Sequence, residues 1–317
     1  MLNALQSVFS VILMIALGFI LAKRKWFEGN SSSLLSRLVV SVALPAYMIS
    51  NLMGGYDRAK LLSMLPGLPI PFAVMIGSYV LATGLAVVLK VRKGRRGTFA
   101  SMFALANAIF IGLPVNLLLF GDESLPFALL YYIANTSCFW TFGIYGIAYD
   151  GSIRSGRPKP SLVSVSGLKR ILSPPLVGFL AAVTMILAGV ALPKSVMDLC
   201  KYLGNMTTPL SMIFIGIVIS RVEWKKLKIE RDIMFVLAGR FLVTPALMFL
   251  LLRGRDLPLL MNKVFLLTSA MPSMTQTPIL AEAYGADSEY AGIGTSLTTV
   301  LSLITIPLYM GLVGIIF

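Results

Sequence analysis

The chain contains no histidine, only two cysteines, and thirteen acidic residues in 317. Each shortage excludes something. Without histidine there is no HExxH zinc site, no hydrolase built on a histidine base and no haem held by histidine. Cys138 and Cys200 stand in or beside apolar runs, far from any pairing or metal-ligating motif, so neither a disulfide nor a metal site is expected. Charge is scarce as well: 13% of residues are Asp, Glu, Lys or Arg, against 57% hydrophobic. A soluble domain carries about 25% charged residues. No Ser-Lys pair and no paired intramembrane aspartates appear, so the chain is expected to be neither an enzyme nor a cofactor binder.

What is abundant is long apolar sequence. A hydrocarbon core of ~30 Å needs about 20 apolar residues per helix. Ten such runs are read, roughly at 3–22, 34–53, 65–89, 98–120, 125–149, 171–192, 202–220, 233–252, 260–283 and 291–317. The fold class expected is therefore an all-α membrane protein with ten transmembrane helices and short loops. The first run has no basic residue before Lys23, and Lys23, Arg24 and Lys25 follow it. That is a signal-anchor pattern rather than a cleaved leader, with the N-terminus outside.

The formal net charge is +14. Its distribution points to the membrane and away from nucleic acid. Nineteen of the 27 basic residues fall in the loops after helices 1, 3, 5 and 7, for example Lys90, Arg92, Lys93, Arg95 and Arg96; seven fall in the opposite loops, and Arg240 lies within a run. By the positive-inside rule the richer face is cytoplasmic, both termini lie outside, and the localisation expected is the cell's inner or plasma membrane. The same basic loops suit an anionic lipid surface.

Self-comparison reveals a repeat. At an offset of 164 residues Pro45 meets Pro209, Pro114 meets Pro278, Gly121 meets Gly285, Ser124 meets Ser288, and Tyr145 meets Tyr309. Five helices per copy is an odd number, so the second copy would lie upside down in the membrane. Two inverted five-helix repeats are expected, 1–150 and 171–317, joined by a cytoplasmic linker at 151–170. Inverted repeats mark secondary transporters, whose sites lie where discontinuous helices meet near the midplane.

Two stretches fit such discontinuities. "SAMPSMTQTPILAEAYG" at 269–285 follows an apolar run, yet holds Pro272, Ser273, Thr275, Gln276, Thr277 and Pro278. Proline removes a backbone hydrogen bond from a helix, and freed backbone groups are tolerated at membrane depth only where protein or a wet cavity satisfies them. The partner is "ANAIFIGLPVN" at 106–116, with Asn107 near mid-span and an interruption expected at Gly112–Pro114.

These motifs resemble those of the auxin efflux carrier family, bacterial type. "NAIFIGLP" at 107–114 is similar to the Asn…Gly-x-Pro motif of the family's fourth helix, and "AMPSMTQTPILAEAYG" at 270–285 to its ninth. "VSVALPAYMISNL" at 40–52 and "LSPPLVGFL" at 172–180 also resemble the family. The resemblance implies a fold like that of sodium/proton antiporters and bile-acid symporters. Helices 1, 2, 6 and 7 would form a scaffold, often dimeric. Helices 3–5 and 8–10 would form a transport domain moving by elevator-type alternating access. Helices 4 and 9 would cross at Pro114 and Pro278, with Asn107 contacting a carboxylate substrate. Plant members carry a long loop between helices 5 and 6 and an acidic residue near helix 3; this chain has neither. The resemblance therefore favours malate, malonate or a similar organic anion over auxin, with H+ or Na+ as a possible coupling ion.

The residues themselves agree with an anion. Asn107, Ser273, Thr275, Gln276 and Thr277 are neutral, and helix N-termini exposed by breaks favour negative charge. Two ionisable side chains fall well inside the runs. Arg240 either snorkels to the cytoplasmic interface or meets the substrate carboxylate. Glu282 is either interfacial or proton-coupling. A sodium-coupled symporter of bile-acid type, and a channel or sensor without turnover, remain as alternative readings.

Overall fold

The computed structural model describes residues 2–27, 31–156, 174–220 and 230–317, with side chains of 2–12 and 31–33 left aside. The basic residues counted at 157–170 and 221–228 lie outside them, as does most of the expected linker.

In chain order the α-helices are α1 (Leu2–Lys23), α2 (Ser31–Leu38), α3 (Leu44–Gly55), α4 (Arg58–Met64), α5 (Pro69–Val88), α6 (Arg96–Ala104), α7 (Leu113–Phe120), α8 (Leu125–Cys138) and α9 (Ile144–Ser155). Then come α10 (Pro174–Leu187), α11 (Lys194–Gly204), α12 (Thr207–Ser220), α13 (Arg231–Ala238), α14 (Thr244–Leu252), α15 (Leu259–Ser269), α16 (Thr277–Tyr284) and α17 (Ser288–Ile316). Among the described residues there is no strand, and one isolated antiparallel bridge pairs Ala106 with Ser273. Among the described residues five continuous helical stretches are long and apolar enough to cross a membrane: Leu34–Gly55, Arg58–Val88, Lys194–Ser220, Arg231–Leu252 and Ser288–Ile316. Leu13–Lys23, Ala108–Phe120, Pro174–Leu187 and Leu259–Ser269 are shorter apolar helices.

Proline explains a recurring local feature. Five-residue π turns occupy Val39–Ala43, Ala108–Gly112, Phe139–Gly143 and Gly239–Val243. Three of them lead into an α-helix whose second residue is proline: Pro45 in α3, Pro114 in α7 and Pro245 in α14. A proline ring clashes with the carbonyl four residues back and offers no N–H. Widening the preceding turn moves that carbonyl aside. Leu44 N–H accordingly reaches Val39 O, and Thr244 N–H reaches Gly239 O, each five residues back. Helix direction thus survives these prolines. The interruption expected at Gly112–Pro114 is not there; it lies one to two turns earlier.

Contacts group the chain into two compact units. One comprises 1–66, 113–127 and 172–222. In it α1 packs closely on α12 through a reciprocal glycine pair. A Cβ on Gly18 would lie 2.3 Å from Ile213 O, and one on Gly216 would lie 2.1 Å from Ile15 O. Small residues let helix backbones approach where lipid supplies no hydrophobic drive. Leu13, Leu17 and Ile20 point outward from α1 with 48–52% exposure. Tyr47 of α3 donates to Asp122 at 2.5 Å.

The other unit comprises 67–112, 128–171 and 223–317. Its core joins α5, α6, α13 and α17 through Phe99, Met102, Phe103, Ile233, Val236 and Tyr290. Arg95 ties this unit's loops together, bonding Glu230 at 2.6 Å and Asp287 at 2.8 Å and stacking on Tyr290 at 4.7 Å. Arg154 adds a 3.0 Å contact to Asp287. Burial alone would raise the Asp287 pKa. The Tyr290 N–H and the Arg95 and Arg154 guanidiniums outweigh it and hold the carboxyl below the usual carboxylate range.

Candidate functional site

The site is built where two helices of the second unit stop short. α6 ends at Ala104, and Leu105 turns extended at φ −108° and ψ 126°. Asn107 then starts the next turn: its Oδ1 accepts from Phe110 N–H at 3.2 Å, the N-cap role that Asn fills well. α15 ends at Ser269, residues 270–276 are irregular, and α16 opens at Thr277 with Pro278 second. The first N–H groups of a helix have no partner within it, so proline costs nothing there. The two irregular segments meet. Ala106 faces Ser273 across the antiparallel bridge, and Asn107 N–H donates to Pro272 O at 2.7 Å.

A buried break must satisfy its freed backbone groups, and here side chains supply the partners. Asn135 of α8 accepts from Ala106 N–H at 3.0 Å and donates to Ala106 O at 2.8 Å. Thr298 of α17 accepts from Ser273 N–H at 3.2 Å. Ser273 Oγ donates to Met102 O at 2.7 Å. Phe103 O, one residue on, accepts from Arg240 and from Thr244, each at 3.3 Å. Arg240 also donates to Ser269 O, while its Nε–H has no hydrogen-bond partner. Space is tight here. A Cβ on Gly239 would fall 2.1 Å from the Phe103 ring, so only glycine lets the turn carrying Arg240 approach.

Asn107, Pro272, Ser273 and Thr275 therefore come together, and Gln276, Thr277 and Pro278 open the helix that follows. Asn107 Nδ2 has only a long 3.5 Å contact to Thr275 Oγ1. Gln276 Oε1 and Thr277 Oγ1 are buried without a partner. Asn107 and Thr277 are buried, whereas Thr275 and Gln276 are partly exposed and form the accessible side. Ser273 is fully committed to the break itself. Gly112 packs on Thr268 and Met271, and Pro114 is buried in α7 of the first unit. Arg240 is 0% exposed, which rules out snorkelling. Glu282 is exposed on α16.

Sequence reasoning missed Asn135 and Asp150. Asn135 is an amide within an apolar run and Asp150 an acid just past the end of one, and that was the available signal. Asp150 is buried and accepts from Thr98 N–H at 2.7 Å and Thr98 Oγ at 2.9 Å, capping α6 from α9. A separate polar cavity of about 390 Å3 lies in the first unit, lined among others by Tyr47, Asn51, Lys60, Asp122, Lys201 and Asn205. None of the site residues expected from sequence lines it. Among the described residues no cluster of acidic or cysteine side chains could hold a metal.

Known proteins match the chain along most of its length. The family described as Membrane transport protein matches residues 3–310. An uncharacterized transporter of Methanocaldococcus jannaschii is 24% identical over 94% of this chain and 95% of its own. An uncharacterized transporter of Methanothermobacter thermautotrophicus is 26% identical over 96% of each chain. A Rhizobium meliloti protein bearing the provisional name of malonate transporter is 25% identical over 92% of this chain and 90% of its own.

Proposed function

We propose that this chain, which belongs to the auxin efflux carrier family of membrane transport proteins, carries a small organic anion of the malonate or malate type across the membrane as a secondary transporter. It is a membrane transporter by family; the substrate and mechanism are this proposal. The observation that carries it is the set of neutral polar groups left over once the breaks have satisfied themselves: buried Asn107 Nδ2 and Thr277, and partly exposed Thr275 and Gln276, beside the N-terminus of α16. Amide N–H groups and a helix N-terminus favour a carboxylate in a site where water is scarce. No acid stands among them to hold a cation. The name of the Rhizobium meliloti relative points to the same chemistry.

The proposed architecture is ten spans in two inverted repeats with both termini outside the cytoplasm. α7 and α16 support it: each has eight residues, proline second, and a glycine with φ above 70° directly after, at the offset of 164. In this reading the second unit moves as an elevator against a scaffold that also serves a homodimer, with H+ or Na+ as the coupling ion. Uptake of labelled mono- and dicarboxylates into proteoliposomes, under separate sodium and proton gradients, is the test. Saturable malonate uptake with counterflow supports the reading. Failure to carry any carboxylate, or an ohmic current, overturns it.

A further inference from the structure

We infer that Arg240 is the counter-charge of the two interrupted helices: a positioning residue that holds their ends together, and not a ligand of the transported anion. Its guanidinium donates to Phe103 O and to Ser269 O. These carbonyls belong to the last turns of α6 and α15, one from each broken helix. The final carbonyls of a helix have no partner within it. Together they carry about half a negative elementary charge per helix end. Two such ends sum to roughly one charge, which one guanidinium offsets.

The surroundings leave it no other counter-ion. Arg240 is 0% exposed, so water does not solvate the charge. The ion pairs among the described residues involve Arg95 and Arg154 and not Arg240. Its flanking side chains are the tyrosines Tyr131 and Tyr309, and Thr244 shares the Phe103 carbonyl. An unpaired buried cation would be strongly unfavourable. The pair of helix ends is what makes this one stable, and the cation in turn keeps two like-signed ends side by side. Arginine suits the task because its planar fork presents several N–H groups in fixed directions. The close approach at Gly239 delivers the turn that carries it.

The test compares Arg240→Lys, Arg240→Gln and Arg240→Met in the purified full chain without substrate, by hydrogen exchange read on peptides covering 105–107 and 270–273. Loss of the charge should speed exchange about tenfold or more in both segments in the Gln and Met variants. Lys should keep most of the protection. Met protecting as well as Arg would mean that packing alone holds the ends, and would overturn the inference. So would acceleration confined to one segment. Malonate binding by the Lys variant separates the remaining case: affinity lost at parental exchange would make Arg240 a ligand. Exchange is read without an anion, so it decides the matter even if the parent carries no carboxylate.

Discussion

Asn135 meets Ala106 with both ends of its amide, accepting at 3.0 Å and donating at 2.8 Å. A side chain thereby stands in for a neighbouring strand at the point where α6 stops. Asn135→Ala would leave the Ala106 N–H without a partner, while Ala106 O would keep only the Ala108 N–H at 2.9 Å. A buried orphan costs about 1–3 kcal/mol, so a loss of roughly that size is expected, read as a lower melting temperature of the purified protein. Asn135→Asp keeps the acceptor but turns a carboxylate oxygen toward Ala106 O at a fully buried position, and should not restore the parent's stability.

Asn107 has two jobs on one amide. Its Oδ1 caps Phe110 N–H at 3.2 Å, while Nδ2 is nearly free. Asn107→Asp retains the cap and replaces the donor by a second acceptor. Malonate affinity should fall roughly ten- to hundredfold or more, since a hydrogen bond to a charged group is worth about 1.5–3 kcal/mol. A carboxylate buried there also costs stability, so binding is read well below the variant's own melting temperature. An Asp variant that binds and transports malonate like the parent would remove Asn107 from the site.

Asp287 makes stability depend on pH in a defined direction. Its pKa is held below the usual range by Tyr290 N–H, Arg95 and Arg154. A depressed native pKa gives stabilisation that is complete above the unfolded value of about 3.9 and is lost as pH falls through the native value. Asp287→Asn keeps an Oδ1 to cap Tyr290 N–H but loses the charge, and should therefore lower stability by about 1–3 kcal/mol at neutral pH, from the lost charge-assisted bonds to Arg95 and Arg154. The gap between parent and variant should close in acid, below about pH 4. A gap unchanged across that window would place the Asp287 contribution elsewhere.

The proposed orientation can be read by labelling. In a background lacking Cys138 and Cys200, a cysteine at Lys60 should react with an impermeant maleimide in intact cells. One at Lys93 should react only with a permeant reagent. The reverse pattern would invert the topology.

Much of this was legible in the sequence for identifiable reasons. Two prolines six residues apart, with polar residues between, marked the second break to within a turn, because proline cannot continue α15. Pro114 misled for the same reason in reverse: a π turn at Ala108–Gly112 absorbs it, and no pattern in the sequence announces such a turn. The true first break sits at Leu105–Asn107, where Asn107 was visible as a polar residue but its capping role was not. Asn135 was hidden because one amide in an apolar run reads equally as a helix-packing contact. The partners of Arg240 were hidden because backbone carbonyls carry no sequence signal at all.

Arg240 and the helix ends it offsets all belong to the second unit. If that unit shuttles, cation and half-charges travel together and nearly cancel within the membrane's electric field. A bare charge crossing that field would gain or lose about 2.3 kcal/mol per 100 mV. The empty carrier should then reorient almost independently of voltage, and the current per malonate taken up should equal the charge of the anion plus its coupling ions. Currents from the substrate-free protein on a voltage step would reveal any uncancelled remainder, and Arg240→Met should enlarge them.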